Sequence, residues 1–380
     1  MKIVRLGDLM VDRRESLTPS NFPNEQFELF SIPAHDSGGF EIQSGKEIGS
    51  SKQVVQSGDV LISRIVPHIR RARVVGHSHG LRQIASSEWI IFRGTAFSPE
   101  YLRHYLLSDV FHRQFMNTVA GVGGSLLRAR PAHVRKIPLP LPPLDEQRRI
   151  AAILDQADAI RTKRRDQLDR LGNLVSSIFL DMFGDPVSNP RQLPTKALED
   201  IGSLDRGVSK HRPRNDPLLL GGAHPLIQTG DVASADRYIN SYHSTYSDMG
   251  LAQSRMWPAG TLCITIAANI AKTGILKFDS CFPDSIVGFL ANRPLTMYVA
   301  IWLDFLQKTI EASAPQSAQK NINLRILRSL ELPVPPEEEL SDFLTRVTRV
   351  DSQRSRVEAA LARDDELFAS LQSRAFKGEL

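Results

Sequence analysis

Residues 137–150 read Ile-Pro-Leu-Pro-Leu-Pro-Pro-Leu-Asp-Glu-Gln-Arg-Arg-Ile, a proline-rich segment that runs into a charged helical pattern. Each proline fixes φ and lacks an N–H, so the segment up to Pro143 is predicted to be extended and rigid. Pro143 is tolerated at a helix start, where an amide donor would be unpaired. Asp145 and Glu146 then place negative charge in the first turn, which favours the helix dipole. The pattern predicts a long helix that begins near Leu144.

That helix carries a heptad pattern, in which apolar residues recur at alternating steps of four and three. No proline or glycine interrupts it before Gly172, and Gly184 and Pro186 end it, so we predict a helix from Leu144 to Phe183. A repeat of this period indicates a helix that packs against a partner helix. The apolar positions are Ile150, Leu154, Ala157, Leu168, Leu171, Val175, Ile178 and Met182, with Arg161 and Arg164 at two interior positions.

The same segment occurs twice in the chain. Pro333-Val-Pro-Pro336 follows Pro140-Leu-Pro-Pro143 by 193 residues, and this offset places Arg161 on Arg354 without a gap. Two unrelated surface helices would not share a start, a length and an apolar pattern, so we predict an internal repeat. The second helix presents Phe343, Val347, Val350, Arg354, Val357, Leu361, Asp364, Phe368, Leu371 and Ala375.

The repeat divides the chain into four segments. We predict an α+β fold, in which two α/β globules are separated by two long antiparallel coiled-coil helices with an internal pseudo-two-fold repeat. The predicted boundaries are a first globule at 1–139, a first helix segment at 140–185, a second globule at 186–332 and a second helix segment at 333–380.

Within the globules, short strands punctuated by Gly, Ser and Asp predict a twisted, mostly antiparallel sheet. Gly260-Thr-Leu-Cys-Ile-Thr265 echoes Gly58-Asp-Val-Leu-Ile-Ser63, which predicts equivalent strands. Ser98 and Pro99 predict the start of a helix, whose inward residues are Leu102, Leu106 and Phe111.

Composition bounds the functional class. The chain has 380 residues, enough for two or three domains, and its 41% hydrophobic and 23% charged residues are ordinary for a soluble globular protein. A net charge of +5 permits a nucleic-acid partner. No segment approaches the ~20 apolar residues that would span a bilayer, and the N-terminal residues lack the apolar run that is typical of a signal peptide. Cys263 and Cys281 are predicted to be reduced core thiols, so we expect a cytoplasmic protein.

Basic residues concentrate between Ile62 and Ser87, a stretch without Asp or Glu that we place in a loop between strands. Arginine pairs with phosphates or reads guanine, and Asn and Gln read adenine, although a charge run is often only a solvated face. The second globule offers 210–215 in the matching early loop and 320–325 near its end. The candidate DNA contacts are Lys52, Arg64, His68, Arg70, Arg71, Arg73, Arg82, Ser125, Lys210, His211, Arg212, Arg214, Asn215, Thr229, Lys272, Gln316, Gln319, Lys320 and Asn321.

Catalytic and metal motifs are absent from the sequence. His68, His77 and His79 lack the Cys or carboxylate spacing of a zinc site. Gly121-Val-Gly-Gly-Ser125 is not followed by Lys-Ser/Thr and fails the phosphate-loop pattern. No Asn/Asp-Pro-Pro-aromatic run is present that would hold a methyl-accepting amino group. We therefore predict a non-catalytic protein without a metal.

Several segments together resemble the specificity subunits of type I restriction–modification systems. They are residues 137–150, Ile48–Lys52, Gly58–Ser63, Ala85–Ile90, Leu226–Val232 and Ser373–Leu380, so the resemblance covers essentially the whole chain. One departure is Pro336-Glu-Glu-Glu-Leu340, where the first copy has Pro143-Leu-Asp-Glu-Gln147, which weakens the expected symmetry of partner docking.

The resemblance implies a non-catalytic subunit that reads double-stranded DNA. Each target-recognition domain would read one half of a bipartite sequence, and the helices would set the gap between the halves. Two methyltransferase (modification) subunits would dock on the helices and methylate adenine, and restriction/translocase subunits would join them in phage defence. S-adenosylmethionine, ATP and magnesium would belong to these partners, with no cofactor bound by this chain.

Three alternatives stay open at this point. The chain could be an orphan DNA-binding or defence-associated specificity subunit without a nuclease partner. It could be a self-sufficient methyltransferase or nuclease, which methyl transfer or cleavage by the single chain would reveal. It could also be a coiled-coil adaptor that does not bind DNA.

Overall fold

The computed structural model describes residues 2–12, 15–120, 127–266, 272–313 and 323–380. The chain forms two compact units. Unit 1 comprises Met1–Asp166 and Glu358–Leu380, and unit 2 comprises Gln167–Val357. Each unit contains mixed α and β structure and one part of each long helix, so the predicted α+β class is confirmed.

The first half of the chain alternates short strands with short helices before the first long helix. Its elements are β1 (Lys2–Arg5), β2 (Ser16–Leu17), β3 (Gln26–Phe30), α1 (Ile32–Asp36), β4 (Glu41–Ser44), β5 (Lys52–Val54), β6 (Val60–Ser63), β7 (Ala72–Val74), β8 (Arg82–Ala85), β9 (Trp89–Phe92), α2 (Pro99–Leu107), α3 (Asp109–Met116), β10 (Val119–Ala120), β11 (Arg128–Ala129), α4 (Pro131–Val134), β12 (Pro138–Leu141) and α5 (Leu144–Phe183).

The second half repeats this alternation and ends in the second long helix. Its elements are β13 (Thr195–Ala197), α6 (Leu198–Ile201), β14 (Ser203–Arg206), β15 (Leu220–Leu226), α7 (Thr229–Ser234), β16 (Tyr238–Ile239), β17 (Ser244–Tyr246), α8 (Asp248–Ala252), β18 (Met256–Trp257), β19 (Leu262–Thr265), β20 (Thr273–Leu276), β21 (Ser280–Cys281), β22 (Ile286–Leu290), α9 (Arg293–Ser313), α10 (Leu324–Arg328), β23 (Glu331–Pro333) and α11 (Glu337–Lys377).

The sheets of the two units follow the same plan. Unit 1 has a five-stranded sheet in the order β2-β5-β8-β3-β4 and a three-stranded sheet in the order β7-β6-β9. Unit 2 has sheets in the orders β14-β22-β19-β20-β16 and β17-β15-β21-β18. The echoed strands β6 and β19 occupy equivalent places, because β6 pairs antiparallel with β7 and β9, and β19 pairs antiparallel with β20 and β22. In each unit the proline run itself becomes a strand, paired antiparallel as β1–β12 or β13–β23.

The helix that Ser98 starts is shorter than the sequence pattern predicts. The Ser98 side chain accepts a hydrogen bond from the Tyr101 N–H, as expected of an N-cap, and Leu102 is buried. Ser108 then adopts an extended conformation and its side chain accepts from the Phe111 N–H, which ends α2 and caps α3. The prediction of one continuous helix was wrong because a second serine cap interrupts it, although Phe111 is buried as predicted.

The long helices have the predicted start and length, 40 residues for α5 and 41 for α11. In unit 1 the first part of α5 and the last part of α11 share a core that contains Leu154 and Phe376. In unit 2 the last part of α5 and the first part of α11 share a core that contains Phe179 and Phe343. The two helices therefore run antiparallel. None of the helices in the described ranges has the length and apolar character needed to cross a membrane.

The end of α5 has a local cause. Gly184 takes φ = +79°, a conformation that other residues rarely adopt, and its N–H donates to the Leu180 carbonyl at 2.9 Å. This is the left-handed cap that commonly ends a helix. A Cβ on Gly184 would lie 2.5 Å from Pro190 Cγ, so the position also requires the small residue for space.

Arginine occupies the interior of the helix pair at the predicted place. In unit 1 Arg161 pairs with Asp365 of α11 at 2.5 Å and with Asp158 of its own helix at 2.8 Å. Its guanidinium also lies 4.2 Å from the centre of the Phe368 ring. The equivalent Arg354, in unit 2, instead pairs with Asp236 of the globule. The repeat therefore preserves the arginine and changes its partner.

Candidate nucleic-acid interface

The basic stretch of unit 1 is folded into strands, so the prediction that it is a loop was wrong in part. It contains β7 and β8, and only the segments between them lack regular structure. Arg73 lies in β7 and Arg82 begins β8. Residues before β7, including His68 and Arg70, are exposed.

Carboxylates from distant segments neutralise most of these arginines. Arg71 makes two hydrogen bonds to Asp36, at 2.6 and 2.7 Å, and Arg82 makes two to Glu25, at 2.5 and 2.6 Å. These contacts hold the pKa of the Asp36 and Glu25 carboxyls below their ordinary values. Arg70 pairs with Asp109 at 2.5 Å. A guanidinium held this way has its charge matched before any phosphate approaches.

Two further arginines of the stretch are partly buried. Arg64 pairs with Glu88 at 3.1 Å. Arg73 donates to the Gly39 carbonyl and lies 4.8 Å from the centre of the Phe30 ring. Burial lowers the pKa of the Arg73 guanidinium. Both side chains are thus tied to the globule and serve its packing.

The remaining unit 1 candidates are separate from this cluster. The Lys52 ammonium donates to the Ser50 carbonyl at 3.0 Å and to its hydroxyl at 2.5 Å, and burial lowers its pKa. His68 is exposed. Ser125 lies outside the described residues, as does the rest of 121–126.

In unit 2 the early basic loop is fastened to α8. The backbone N–H groups of Lys210 and His211 donate to the Gln253 side-chain oxygen at 2.6 and 3.0 Å. Arg212 and Arg214 both pair with Asp284. His211 contacts Asp216 at 2.9 Å, and Asn215 is exposed. This loop is therefore ordered by ion pairs, with the Lys210 ammonium and the Asn215 amide left facing solvent among its described polar groups.

The other unit 2 candidates are scattered. Thr229 is the first residue of α7, and the Lys272 N–H donates to the Thr265 hydroxyl at 3.1 Å. Neither lies beside the 210–215 loop in sequence or shares a described hydrogen bond with it. Four candidates lie outside the described residues: Gln316, Gln319, Lys320 and Asn321.

Further exposed cations lie near α4 and α10. Arg325 is the last residue of the basic stretch predicted at 320–325, and the sequence analysis did not single out the others. Segment 127–136 has four Lys or Arg residues and no carboxylate, the same signal that drew attention to 62–87. Within it Arg130 and Lys136 are exposed, and no described residue pairs with their side chains. In unit 2 the same holds for Arg206 and Arg325.

Metal-ligating clusters and the two cysteines are the other kinds of site to consider in the described ranges. No group of three or more His, Cys, Asp or Glu residues there is arranged to hold a metal ion. Cys263 and Cys281 are free and buried, as predicted, and burial raises the pKa of both thiols. Neither cysteine is therefore a reactive thiolate.

Comparison with protein families gives two matches within the chain. The model described as the type I restriction modification DNA specificity domain matches residues 40–170 and again residues 190–360. The type I restriction enzyme EcoBI specificity subunit of Escherichia coli is 25% identical over 281 residues, 64% of this chain and 58% of that protein. The EcoKI specificity subunit of Escherichia coli K12 is 21% identical over 317 residues, 77% of this chain and 67% of that protein. The chain thus spans 58% to 67% of the length of these relatives.

Two solved structures share the fold. A chain from a study of complex assembly and conformational transition of the type I restriction–modification system has a TM-score of 0.62 at 20% identity, covering 100% of this chain and 98% of that chain. The type I restriction–modification S subunit from M. genitalium has a TM-score of 0.59 at 10% identity, covering 99% of this chain and 96% of that chain.

Proposed function

Because the chain belongs to the type I restriction–modification DNA specificity domain family, we propose that it is the DNA-reading specificity subunit of a type I restriction–modification complex. The observation that carries this proposal is the double match, at 40–170 and at 190–360, in a chain whose sheets and long helices are themselves repeated. One recognition domain for each half of a split target is the simplest use of such a duplication.

Each globule reads one half-site of a bipartite duplex target, and α5 and α11 set the number of unread base pairs between them. Each helix contributes residues to both units, which supports a shared spacer. The proposed domain boundaries are those predicted from the proline runs, at 139/140, 185/186 and 332/333. Base-edge contacts supply specificity and phosphate contacts supply position.

All the predicted DNA contacts remain part of this proposal, but the described side chains differ in how available they are to DNA. Lys210 and Asn215 have exposed side chains on an ordered loop, which is the arrangement that direct readout requires. Arg71 and Arg82 are matched by carboxylates, so they contribute less to DNA affinity than their number suggests. Ser125, Gln316, Gln319, Lys320 and Asn321 remain proposed contacts from sequence alone.

The chain acts with partners that supply the chemistry. Two methyltransferase subunits dock on the long helices, and restriction/translocase subunits join them where the system cleaves DNA. S-adenosylmethionine, ATP and magnesium bind to these partners, and the sequence here carries no motif for them. The complex works in the cytoplasm, where the DNA is.

DNA binding by the purified full chain, with and without its methyltransferase subunit, tests the proposal. The logarithm of the association constant is measured against the logarithm of the salt concentration. A DNA reader releases counterions from several phosphates and shows a steep slope, about −0.9 for each phosphate neutralised. A chain that binds no duplex DNA at low salt, alone or with its partner, is instead an adaptor, and the proposal fails.

A further inference from the structure

Unit 2 contains a cleft that none of the predicted DNA contacts lines. Its volume is about 640 Å³, and it lies between α6, the end of β14 and α10. The residues that line it include Glu199, Arg206, Asn323, Arg325, Arg328 and Ser329. Three arginines thus face one glutamate across an open surface.

The carboxylates near the cleft do not match its positive charge. Arg328 reaches one oxygen of Asp205 at 3.4 Å, and Arg255 reaches the other at 3.3 Å, so one carboxylate serves two guanidinium groups. Arg206 and Arg325 are exposed, and no described residue accepts a hydrogen bond from either side chain. Arg206 and Arg325 thus differ from Arg212 and Arg214 in the early loop of the same unit, which both pair with Asp284.

The core of unit 2 and strand β14 fix the position of α10, which carries Arg325 and Arg328. Leu327 is fully buried in the core of unit 2. The Asn323 side chain caps α10 by accepting from the Ile326 N–H at 3.1 Å. Arg328 donates to the Leu204 carbonyl at 3.0 Å, which ties α10 to β14. Arg325 lies three residues before Arg328, one helical turn away on the same side.

The internal repeat separates Arg328, which has a structural role, from Arg325. In unit 1 Arg135 pairs with Asp12 at 2.5 Å. These residues lie 193 positions before Arg328 and Asp205, so the same ion pair recurs in both units. Residue 132, the equivalent of Arg325, is alanine. Arg328 therefore belongs to the common framework, whereas Arg325 is an addition in unit 2 that the framework does not require.

We propose that this cleft binds a phosphate of the DNA backbone through Arg206 and Arg325. The inference rests on the proposed function and adds a contact that positions unit 2 on the duplex without reading its sequence. Arginine suits this task because its planar fork donates two parallel hydrogen bonds to phosphate oxygens. Both guanidinium groups are exposed and no described carboxylate pairs with either, so neither gives up an ion pair to meet the phosphate.

The test is the salt dependence of binding of the full chain to duplex DNA, for wild type and for Arg206→Ala/Arg325→Ala. Both side chains are exposed, so the variant keeps the fold. We expect weaker binding to every sequence and a salt slope smaller in magnitude by about 0.9, the share of one phosphate contact. Arg206→Lys/Arg325→Lys keeps most of the slope, because an ammonium also neutralises a phosphate.

The matched control is Arg349→Ala/Arg356→Ala, which removes the same charge from exposed positions of α11 in the same unit, where no described residue pairs with either side chain. We expect its slope to equal that of wild type. An unchanged slope for the cleft variant, or an equal decrease in the control, would contradict the phosphate contact in the cleft. The proposed function as a DNA-reading subunit would still stand. If the wild-type chain shows no salt-dependent binding to duplex DNA, the proposed function and the phosphate contact both fail, which is a different result.

Discussion

Gln147 connects the start of α5 to the rest of unit 1. It is 1% exposed, its side-chain oxygen accepts from the Ser98 N–H at 2.8 Å, and its amide nitrogen donates to the Pro142 carbonyl at 2.8 Å. A buried amide satisfied at both ends fixes the geometry of the groups it joins. The second copy has Leu340 here, buried in an apolar core, so the two helices begin by different means.

We expect Gln147→Leu to lower the free energy of unfolding of the full chain by about 1–3 kcal/mol, because the Ser98 N–H and the Pro142 carbonyl lose their partner in a buried place. Urea denaturation measures the change. Gln156→Leu, at an exposed position of the same helix, is the control and should stay within about 0.5 kcal/mol of wild type. Equal losses in the two variants would mean that the Gln147 contacts contribute nothing specific.

Individual charges were the hardest feature to predict from sequence. Arg71 and Arg82 lie in a stretch without carboxylates, but their partners Asp36 and Glu25 come from 35 and 57 residues away. A local count of charge cannot detect such pairs, because only the fold brings them together. The same count, applied to 127–136, would have found the exposed Arg130 and Lys136.

The bounds of α5 were predictable to the residue, and the start of α11 through the repeat, because the signals are local. Prolines fix the approach, acidic residues occupy the first turn, and Gly184 supplies the left-handed cap. Less was predicted of the side chains within them. Phe179 is fully buried, but the heptad pattern did not single it out, because it contacts Tyr298 and Phe305 of α9 as well as Phe343 of α11.

The spacer role of the helices predicts an effect of length. A variant with two inserted heptads tests this effect, because a heptad in one helix alone would shift the pairing between α5 and α11. One heptad follows Asp166 of α5 and a second follows Val357 of α11, so that both insertions fall at the boundaries of the units. Seven helical residues add about 10 Å, close to three base pairs. We expect the methylated motif to keep both half-sites and gain about three unread base pairs.

The control carries the α5 heptad alone. It shifts the pairing of Arg161 with Asp365 and of the apolar residues around them, so we expect loss of stability rather than a new motif. An unchanged gap in the double insertion would show that the helices do not set the spacing.

The two globules share a framework and differ in their surface loops. Both form a strand from the proline run, and both bury a tyrosine whose hydroxyl donates to a carbonyl of that run, as Tyr101 does to Pro140 and Tyr298 to Pro333 at 2.7 Å. Burial raises the pKa of both hydroxyls, so each stays protonated and donates. Rigid elements with variable loops are the arrangement that lets a fold change what it recognises.

Replacement of residues 186–332 by the corresponding segment of a relative tests whether the globules read independently. We expect one half-site to change and the other half-site and the gap to stay, since the exchanged segment contains neither long helix. The chimaera's motif is compared with those of both parents. A change in both half-sites would mean that the globules do not read separately.

A long-read methylation map of DNA from cells that co-express this chain with its methyltransferase subunit would be the most direct measurement. We predict adenine methylation at a split motif, with two specific halves around a fixed gap, only when this chain is present. A continuous motif, or methylation that persists without this chain, would contradict the proposal that its two globules read a bipartite target.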